Sequence, residues 1–280
     1  MTALKVEQRI EEQMRRVAAR TTHEIALRRG EKIGMYLGCG YPKSGTVWLC
    51  QMVASYLGVP YPQNYLLPVA MRSVIHSHAD YDHRLPPTVY ITRDGRDVMT
   101  SLYFYNMRAL TLDRNPRHQE RLRTKYSAAF GAHFDPQDIR ANLPRFIEME
   151  AEAPTGAHVT WQQHVMDWHE TSSTVARVTY EGLLDNPEQV LRQAMHTLTG
   201  EAPDEERARL AVSRFSFSTA ARRNAGQEDR SSFMRKGTAG DWKNHYTREA
   251  GEIFDRHAGD ALVRYGYADD RRWYETLDES

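Results

Sequence analysis

The fold is decided by the stretch Gly38-Cys39-Gly40-Tyr41-Pro42-Lys43-Ser44-Gly45-Thr46-Val47-Trp48. An apolar run at 33–37 enters it and predicts a buried strand, and apolar residues at helical spacing follow it. A small-residue loop between a strand and a helix suits an anion, because free backbone N–H groups and the positive end of the helix dipole point at it. Lys43 adds a full positive charge, and Ser44 and Thr46 add hydroxyl donors.

This stretch is not a Walker A loop. That motif places a glycine before the lysine, whereas Pro42 precedes Lys43 here. Taken alone, the stretch also fits an ordinary strand–turn–helix connection with a solvated lysine. Further motifs along the chain favour the anion site.

Composition excludes several classes of protein. The 280 residues are 40% hydrophobic and 26% charged, an ordinary globular balance. Lys plus Arg and Asp plus Glu each total 37, so the basic excess of a nucleic-acid binder is missing and we expect no nucleic-acid partner. No run approaches the ~20 apolar residues of a membrane helix. Because the N-terminus shows no export signal, we expect a cytoplasmic protein without a membrane partner.

The two cysteines, Cys39 and Cys50, flank the anion-binding stretch. Cys39 is expected at the end of a buried strand and Cys50 in the next helix. In a cytoplasmic protein this predicts two buried, reduced thiols rather than a disulfide. Their spacing also offers no metal site.

Strand-like and helical segments alternate along the chain. Further strand-like runs lie at 72–78, 88–92 and 176–180, and helical patterns follow the last two. Alternation of this kind predicts an α/β single domain with a central parallel sheet flanked by helices. Ligands of such sheets bind beyond the carboxyl ends of the strands, where Lys43, Arg93 and Tyr180 are all expected.

The domain organisation follows from the same pattern. Residues 1–30 predict an amphipathic helix packed on the core, and 31–280 predict the main domain. Within it, 110–160 is polar, rich in Arg and Pro and only weakly periodic. We interpret 110–160 as a lid or substrate-covering insertion.

Three motifs carry a resemblance to a known family. The Tyr-Pro-Lys-Ser-Gly-Thr-x-Trp loop resembles the 5′-phosphosulfate loop of the cytosolic sulfotransferases, which use 3′-phosphoadenosine 5′-phosphosulfate (PAPS). Arg93 with Ser101 eight residues later looks like that family's 3′-phosphate clamp, and Arg-Lys-Gly-x-x-Gly-Asp-Trp-Lys-Asn at 235–244 looks like its C-terminal signature. The resemblance implies a P-loop NTPase-like sulfotransferase fold and sulfuryl transfer from PAPS to a hydroxyl of a small molecule, a phenol being one candidate. It implies no metal.

The resemblance also implies cofactor-binding residues. PAPS carries anionic groups at both ends of one nucleoside, so a binder needs two cationic sites, and arginine suits bidentate phosphate recognition. The phosphosulfate would be held by Lys43, Ser44, Gly45, Thr46 and the Val47 amide. The 3′-phosphate would be held by Arg93, Ser101, Arg235, Lys236 and Gly237. The adenine would lie against Trp48, Phe217 and Tyr180.

These assignments have structural alternatives. Arg93 could pair with Asp97, residues 235–236 could form a solvated loop, and the aromatic side chains could be core residues.

Catalysis requires a base for the acceptor's proton, and histidine is suited to that near neutral pH. The family's Lys-x-His pair aligns with His76-Ser77-His78, which implies that His78 is the base. His76 replaces the lysine: it would substitute for it if protonated, or weaken leaving-group stabilisation if not. Lys43 would balance charge on the departing phosphate oxygen.

Other departures and other functions stay open. Val47 replaces a loop threonine, and Arg248 replaces the valine of the family's dimer motif, so monomer and weak homodimer are both possible. An ATP-dependent kinase is disfavoured by the missing Walker A glycine and by the lack of a clear acidic partner for Mg²⁺. A non-catalytic binder of PAPS or its product PAP is disfavoured by His78. Aromatic residues at 103–105 suggest either an acceptor pocket or core packing.

Overall fold

A parallel sheet forms the centre of the fold. The computed structural model describes residues 3–112, 116–170, 175–216, 226 and 237–279. The strands are β1 (Met35–Gly40), β2 (Ser73–Ser77), β3 (Thr88–Thr92) and β4 (Ala176–Thr179), in the order β2-β1-β3-β4. β1 runs parallel to both of its neighbours, with Leu37 opposite Ile75 and Thr88. The predicted α/β class with a parallel sheet is therefore confirmed.

Helices connect and flank these strands. Their bounds are α1 Ala3–Arg29, α2 Thr46–Leu57, α3 Gly95–Leu112, α4 Pro116–Phe130, α5 Ile139–Glu152, α6 Trp161–His169, α7 Tyr180–Asp185, α8 Pro187–Thr199, α9 Glu205–Arg214 and α10 Arg248–Arg264. Short 3-10 turns lie at Asp241–Asn244 and Trp273–Thr276. The Cα positions group into two compact units.

The first unit comprises Met1–Gly40, Gly45–Ile91 and Thr171–Phe215. Its core joins the buried faces of α2, α8 and α9 to the sheet. Close packing of α2 on β1 depends on Gly38, since a Cβ there would lie 2.3 Å from the Cys50 sulfur. Cys39 and Cys50 are free and fully buried, as predicted, and burial raises the pKa of both thiols. Both thiols therefore stay protonated, and their S–H groups donate weakly to the carbonyls of Ala79 and Gly38.

The second unit comprises Tyr41–Ser44, Thr92–Glu170 and Ser216–Ser280. Its core is built mainly from α3, α5, α6 and α10. Large buried aromatic side chains fill it, among them Trp161, Phe146, Phe254 and Tyr246. Edge-to-face contacts such as Tyr246–Phe254, with ring centroids 6.1 Å apart, organise the packing.

The segment 110–160 is more regular than its sequence pattern predicts. It contains α4 and α5, and Asp138 caps α5 by accepting a hydrogen bond from the Ala141 N–H at 3.1 Å. The buried face of α5 includes Asn142 and Glu150, which interrupt its apolar periodicity. Asn142 donates to the Tyr103 hydroxyl, and Glu150 accepts from Thr155. α5 is thus part of the core, and a substrate-covering role for the segment stays a prediction.

Helix α1 packs through small residues. Ala18, Thr22 and Ala26, spaced by four, are buried, and the Thr22 hydroxyl accepts a hydrogen bond from the Val69 N–H at 2.9 Å. A domain boundary at residue 30 stays a prediction. None of the helices in the described ranges is long and apolar enough to span a bilayer.

Candidate functional site

The loop after β1, residues 41–46 (the anion loop), has an unusual backbone. Lys43 has φ 71° and Gly45 has φ 93°, both in the left-handed region. For lysine that region is costly, and such strain concentrates at functional sites. Gly45 is the N-cap of α2 and provides no side-chain cap. The first N–H groups of α2 consequently remain available to a ligand.

Only glycine fits at position 45. A Cβ there would lie 2.8 Å from Cδ2 of Tyr180, the first residue of α7. Gly45 therefore allows both the left-handed turn and the close approach of the Tyr180 ring to the start of α2.

Two hydroxyl groups of the anion loop are buried and have no hydrogen-bond partner in the part of the chain that the structure describes. Ser44 is 1% exposed and Thr46 is 3% exposed, and neither side-chain oxygen has a hydrogen-bond partner among the described residues. A buried hydroxyl that lacks a partner costs free energy. Both groups can donate to a ligand rich in acceptor oxygens, as a phosphoryl or sulfuryl group is. The loop's chemistry therefore fits an anionic cofactor.

Lys43 is held at both its backbone and its side chain. Its carbonyl accepts a hydrogen bond from Nη1 of Arg93 at 3.1 Å. Its Nζ lies 4.5 Å from the centroid of the Tyr105 ring, a cation–π contact. Tyr105 is 41% exposed, whereas Tyr103 and Phe104 are buried in the core. Of the three aromatic residues at 103–105 that are candidates for an acceptor pocket, only Tyr105 is exposed, and it contacts Lys43.

Arg93, just after β3, lies in the same unit as Lys43. Besides the Lys43 carbonyl, its guanidinium contacts the Thr238 carbonyl from Nη2 at 3.4 Å. It also pairs with Asp97 at 3.7 Å, the alternative that the sequence left open. Ser101 lies two turns further on in α3, and Gly237 takes φ 68° next to Thr238. The backbone contacts join Arg93 to two segments remote in sequence.

Trp48 and Tyr180 meet in the first unit. Their rings lie edge to face with centroids 5.8 Å apart. The indole N–H of Trp48 donates to the Phe215 carbonyl at 2.7 Å, which fixes the orientation of the ring. Three predicted cofactor residues, Phe217, Arg235 and Lys236, lie outside the described residues.

His76 lies in β2, and His78 is the first residue after that strand. The rings of His76 and His78 lie edge to face with centroids 4.5 Å apart. Burial, and secondarily the neighbouring His78, lowers the pKa of His76 from 6.5 to about 3. His76 is therefore neutral at neutral pH, and the protonated substitute for the family lysine is disfavoured.

The tautomer of His78 follows from its partner. Its Nδ1 lies 2.6 Å from the Gly40 carbonyl oxygen. A carbonyl only accepts, so in the neutral ring Nδ1 carries the proton and Nε2 carries the lone pair. The hydrogen bond to Gly40, the last residue of β1, therefore leaves Nε2 of His78 as the nitrogen that can accept a proton.

Most of the chain matches a known protein family. Residues 75–266 match the sulfotransferase domain family. The chain belongs to that family.

Relatives support the assignment over most of the chain. Sulfotransferase 1A1 of Rattus norvegicus is 27% identical over 263 residues, which cover 78% of this chain and 80% of the relative. Sulfotransferase 1E1 of Cavia porcellus is 25% identical over 263 residues, with coverage of 78% and 79%. The predicted family and its transferase activity are therefore confirmed.

Solved structures show the same fold. Mouse sulfotransferase SULT7A1 complexed with PAP superposes with a TM-score of 0.58 at 20% identity, covering 88% of this chain and 95% of that chain. Retinol dehydratase in a complex with retinol and PAP gives a TM-score of 0.55 at 15% identity, covering 84% of each chain.

Sequence reasoning missed two residues that order this sulfotransferase's second unit. Asp97 accepts hydrogen bonds from the Gly240 and Trp242 N–H groups. Arg96 pairs with Asp94 and contacts the rings of Trp242 and Trp273, with Cζ at 3.8 and 4.6 Å from their centroids. The spacing of Arg93 and Asp97 signalled only an ion pair. Contacts between residues so far apart along the chain cannot be recognised from a local sequence pattern.

Across the ranges that the structure describes, no group of three or more His, Cys, Asp or Glu side chains is placed to hold a metal ion.

Proposed function

We propose that the anion loop holds the 5′-phosphosulfate of PAPS and that His78 accepts the proton of an acceptor hydroxyl. The observation that carries this is the pair of buried hydroxyls of Ser44 and Thr46, which have no hydrogen-bond partner among the described residues and lie in a loop with two left-handed residues. PAPS supplies the sulfuryl group, and PAP is its product. The mouse sulfotransferase and the retinol dehydratase that share the fold are in complexes with PAP, which supports the same cofactor here.

The two ends of the cofactor have separate sites in this proposal. Lys43, Ser44, Gly45, Thr46 and the Val47 amide bind the phosphosulfate. Arg93, Ser101 and the Gly237 backbone bind the 3′-phosphate, and Arg235 and Lys236 join them by sequence resemblance. Trp48 and Tyr180 line the adenine slot, with Phe217 assigned from sequence alone. The bond from the Trp48 indole to the Phe215 carbonyl supports this, because it holds the ring in one orientation.

In the proposed transfer step, His78 receives the proton of the acceptor hydroxyl. As the acceptor oxygen forms its bond to sulfur, the bond from sulfur to the phosphate oxygen breaks, and the hydroxyl proton passes to Nε2 of His78. The hydrogen bond from Nδ1 to Gly40 supports this role, since it leaves Nε2 as the acceptor and stabilises the imidazolium that forms.

Lys43 balances the negative charge that develops on the departing phosphate oxygen. In the family pattern a lysine at position 76 would share this task, but the neutral His76 cannot. Fixed charges placed where negative charge develops lower the barrier in such transfers. We infer that Lys43 is the main cation at the leaving group.

The acceptor is proposed to be a small molecule with a hydroxyl, and a phenol is one candidate. Tyr105 supports an aromatic contact near Lys43, since it is the exposed member of the 103–105 run. A cytoplasmic location and the choice between monomer and weak homodimer stay predictions of the sequence.

Calorimetric titration with PAP, AMP and ATP, with and without EDTA, tests the proposal. We expect tight binding of PAP that EDTA leaves unchanged, and much weaker binding of AMP and ATP. A preference for ATP with magnesium would contradict the proposal and favour a kinase. Transfer to a phenol, followed with labelled PAPS, then separates a catalyst from a non-catalytic PAP binder.

A further inference from the structure

Asp97 is a buried carboxylate in the first turn of α3. It is 1% exposed. One carboxylate oxygen accepts from the Gly240 N–H at 2.7 Å and the other from the Trp242 N–H at 2.9 Å. The oxygen that binds Gly240 also lies 3.7 Å from Nη2 of Arg93. A single side chain thus contacts both Arg93 and the segment 237–242.

A buried charge needs compensation of this kind. Without partners its loss of hydration would be strongly destabilising, whereas two backbone donors and one guanidinium offset that cost. The same partners are thereby fixed in space. The Arg93 guanidinium, which also contacts the Thr238 carbonyl, cannot turn away from segment 237–242 without losing these contacts.

We propose that Asp97 is a positioning residue for the 3′-phosphate site: it sets the spacing between the Arg93 guanidinium and the backbone of segment 237–242. This inference rests on the proposed function, in which Arg93 and Gly237 bind that phosphate. Asp97 does not contact the phosphate in this proposal. It restricts the motion of the Arg93 guanidinium and of segment 237–242, so these groups lose less conformational entropy when the phosphate binds.

The opposing effect is repulsion between the carboxylate and the phosphate. Two backbone N–H groups and the Arg93 guanidinium already compensate the charge of Asp97. We therefore expect positioning to outweigh repulsion. An asparagine at position 97 would have one carbonyl oxygen to accept from the two backbone N–H donors. Its NH2 group, itself a donor, would face the other N–H group and the Arg93 guanidinium.

The test compares Asp97→Asn with wild type in calorimetric titrations of PAP and of AMP, which lacks the 3′-phosphate. We expect PAP affinity to fall about tenfold to a hundredfold, by the usual effect of losing charge-assisted hydrogen bonds. AMP affinity should change less than about threefold. Asp97→Asn in an Arg93→Ala background should then add little further loss for PAP, because the two residues act together.

Asp255→Asn is the matched control. Asp255 is also a buried aspartate of the second unit, bonded to Arg271 and to the Trp273 indole. We expect this substitution to lower the melting temperature while the ratio of PAP to AMP affinity stays at the wild-type value.

Gly240→Ala covers the case in which Asp97→Asn does not fold. Gly240 has φ 77°, and among the described residues an added Cβ meets nothing within 4 Å, so we expect backbone strain in the segment that Asp97 holds. It should lower PAP affinity and spare AMP.

Three outcomes would overturn the inference: equal losses for both nucleotides, no loss for PAP, or tighter PAP binding. If wild type itself does not prefer PAP to AMP, the proposed function fails instead.

Discussion

At the scale of single residues, the site is distinguished by how strongly each group is held. Lys43 has a strained backbone, a carbonyl bonded to Arg93 and an ammonium over Tyr105. His78 has a fixed tautomer. The sequence identified both positions through a resemblance, but it could not reveal what holds them, because each contact joins segments remote along the chain.

Substitution of His78 tests the base. We expect His78→Ala to lower kcat by about 10²–10⁴-fold, the usual contribution of a positioned base, while PAP affinity stays within about twofold. Steady-state rates and calorimetry measure the two effects. His83→Ala, at a side chain that is 83% exposed, is the control and should match wild type. A loss of PAP binding in the His78 variant would argue against a base role.

His76 should make the fold sensitive to acid. Its pKa is about 3 when folded against 6.5 ordinarily, so between these values the unfolded chain binds more protons. Stability from the neutral ring is fully present above about pH 6.5 and is lost as pH falls toward 3.

Urea unfolding at about pH 7 and about pH 4.5 measures this effect. Wild type should lose more free energy of unfolding over that interval than His76→Gln does. His83→Gln should lose as much as wild type. Identical losses in wild type and His76→Gln would contradict the burial effect.

At the scale of elements, the sequence predicted strands better than helices. The runs at 72–78, 88–92 and 176–180 contain β2, β3 and β4, because β-branched and apolar residues suit strands buried on both faces. Helix α5 was obscured by its buried polar residues Asn142 and Glu150. Tyr180, predicted as the end of a strand, begins α7, since Thr179 accepts a hydrogen bond from the Gly182 N–H and caps the helix.

The two ends of α2 allow a matched test of Gly45. Gly45→Ala should lower the free energy of unfolding by about 2–4 kcal/mol, from left-handed strain and the clash with Tyr180. In Gly58→Ala, at the other end of α2, the new Cβ meets none of the described residues within 4 Å at φ 63°, and the change should cost only about 1 kcal/mol. Chemical denaturation measures both. Equal costs would mean that Tyr180 moves aside freely.

At the scale of the whole molecule, charge is balanced. The chain carries 37 basic and 37 acidic side chains, with a sequence pI near 7.2. The cations of the candidate site therefore act locally and not through a general basic field. The described part of the site is held by short-range contacts, such as those of Arg93, which net charge could not have predicted.

Balanced charge predicts poor colloidal stability near neutral pH. With little net repulsion, self-association is favoured close to the pI. We expect the second virial coefficient from static light scattering to be lowest near pH 7.2 and to rise on either side. Lys32→Glu, at an exposed position, should shift the minimum to lower pH. A minimum unmoved by this substitution would indicate a specific contact between molecules.

Arg96 receives its aromatic neighbours late in protein synthesis. The ribosome makes Arg96 well before Trp242 and Trp273, whose rings contact its guanidinium. At ordinary elongation rates the interval between Arg96 and Trp273 is roughly 10–30 s. During that time the first turn of α3, next to Arg93, lacks its final covering. A nascent chain therefore completes this corner of the molecule only once residue 273 has left the exit tunnel.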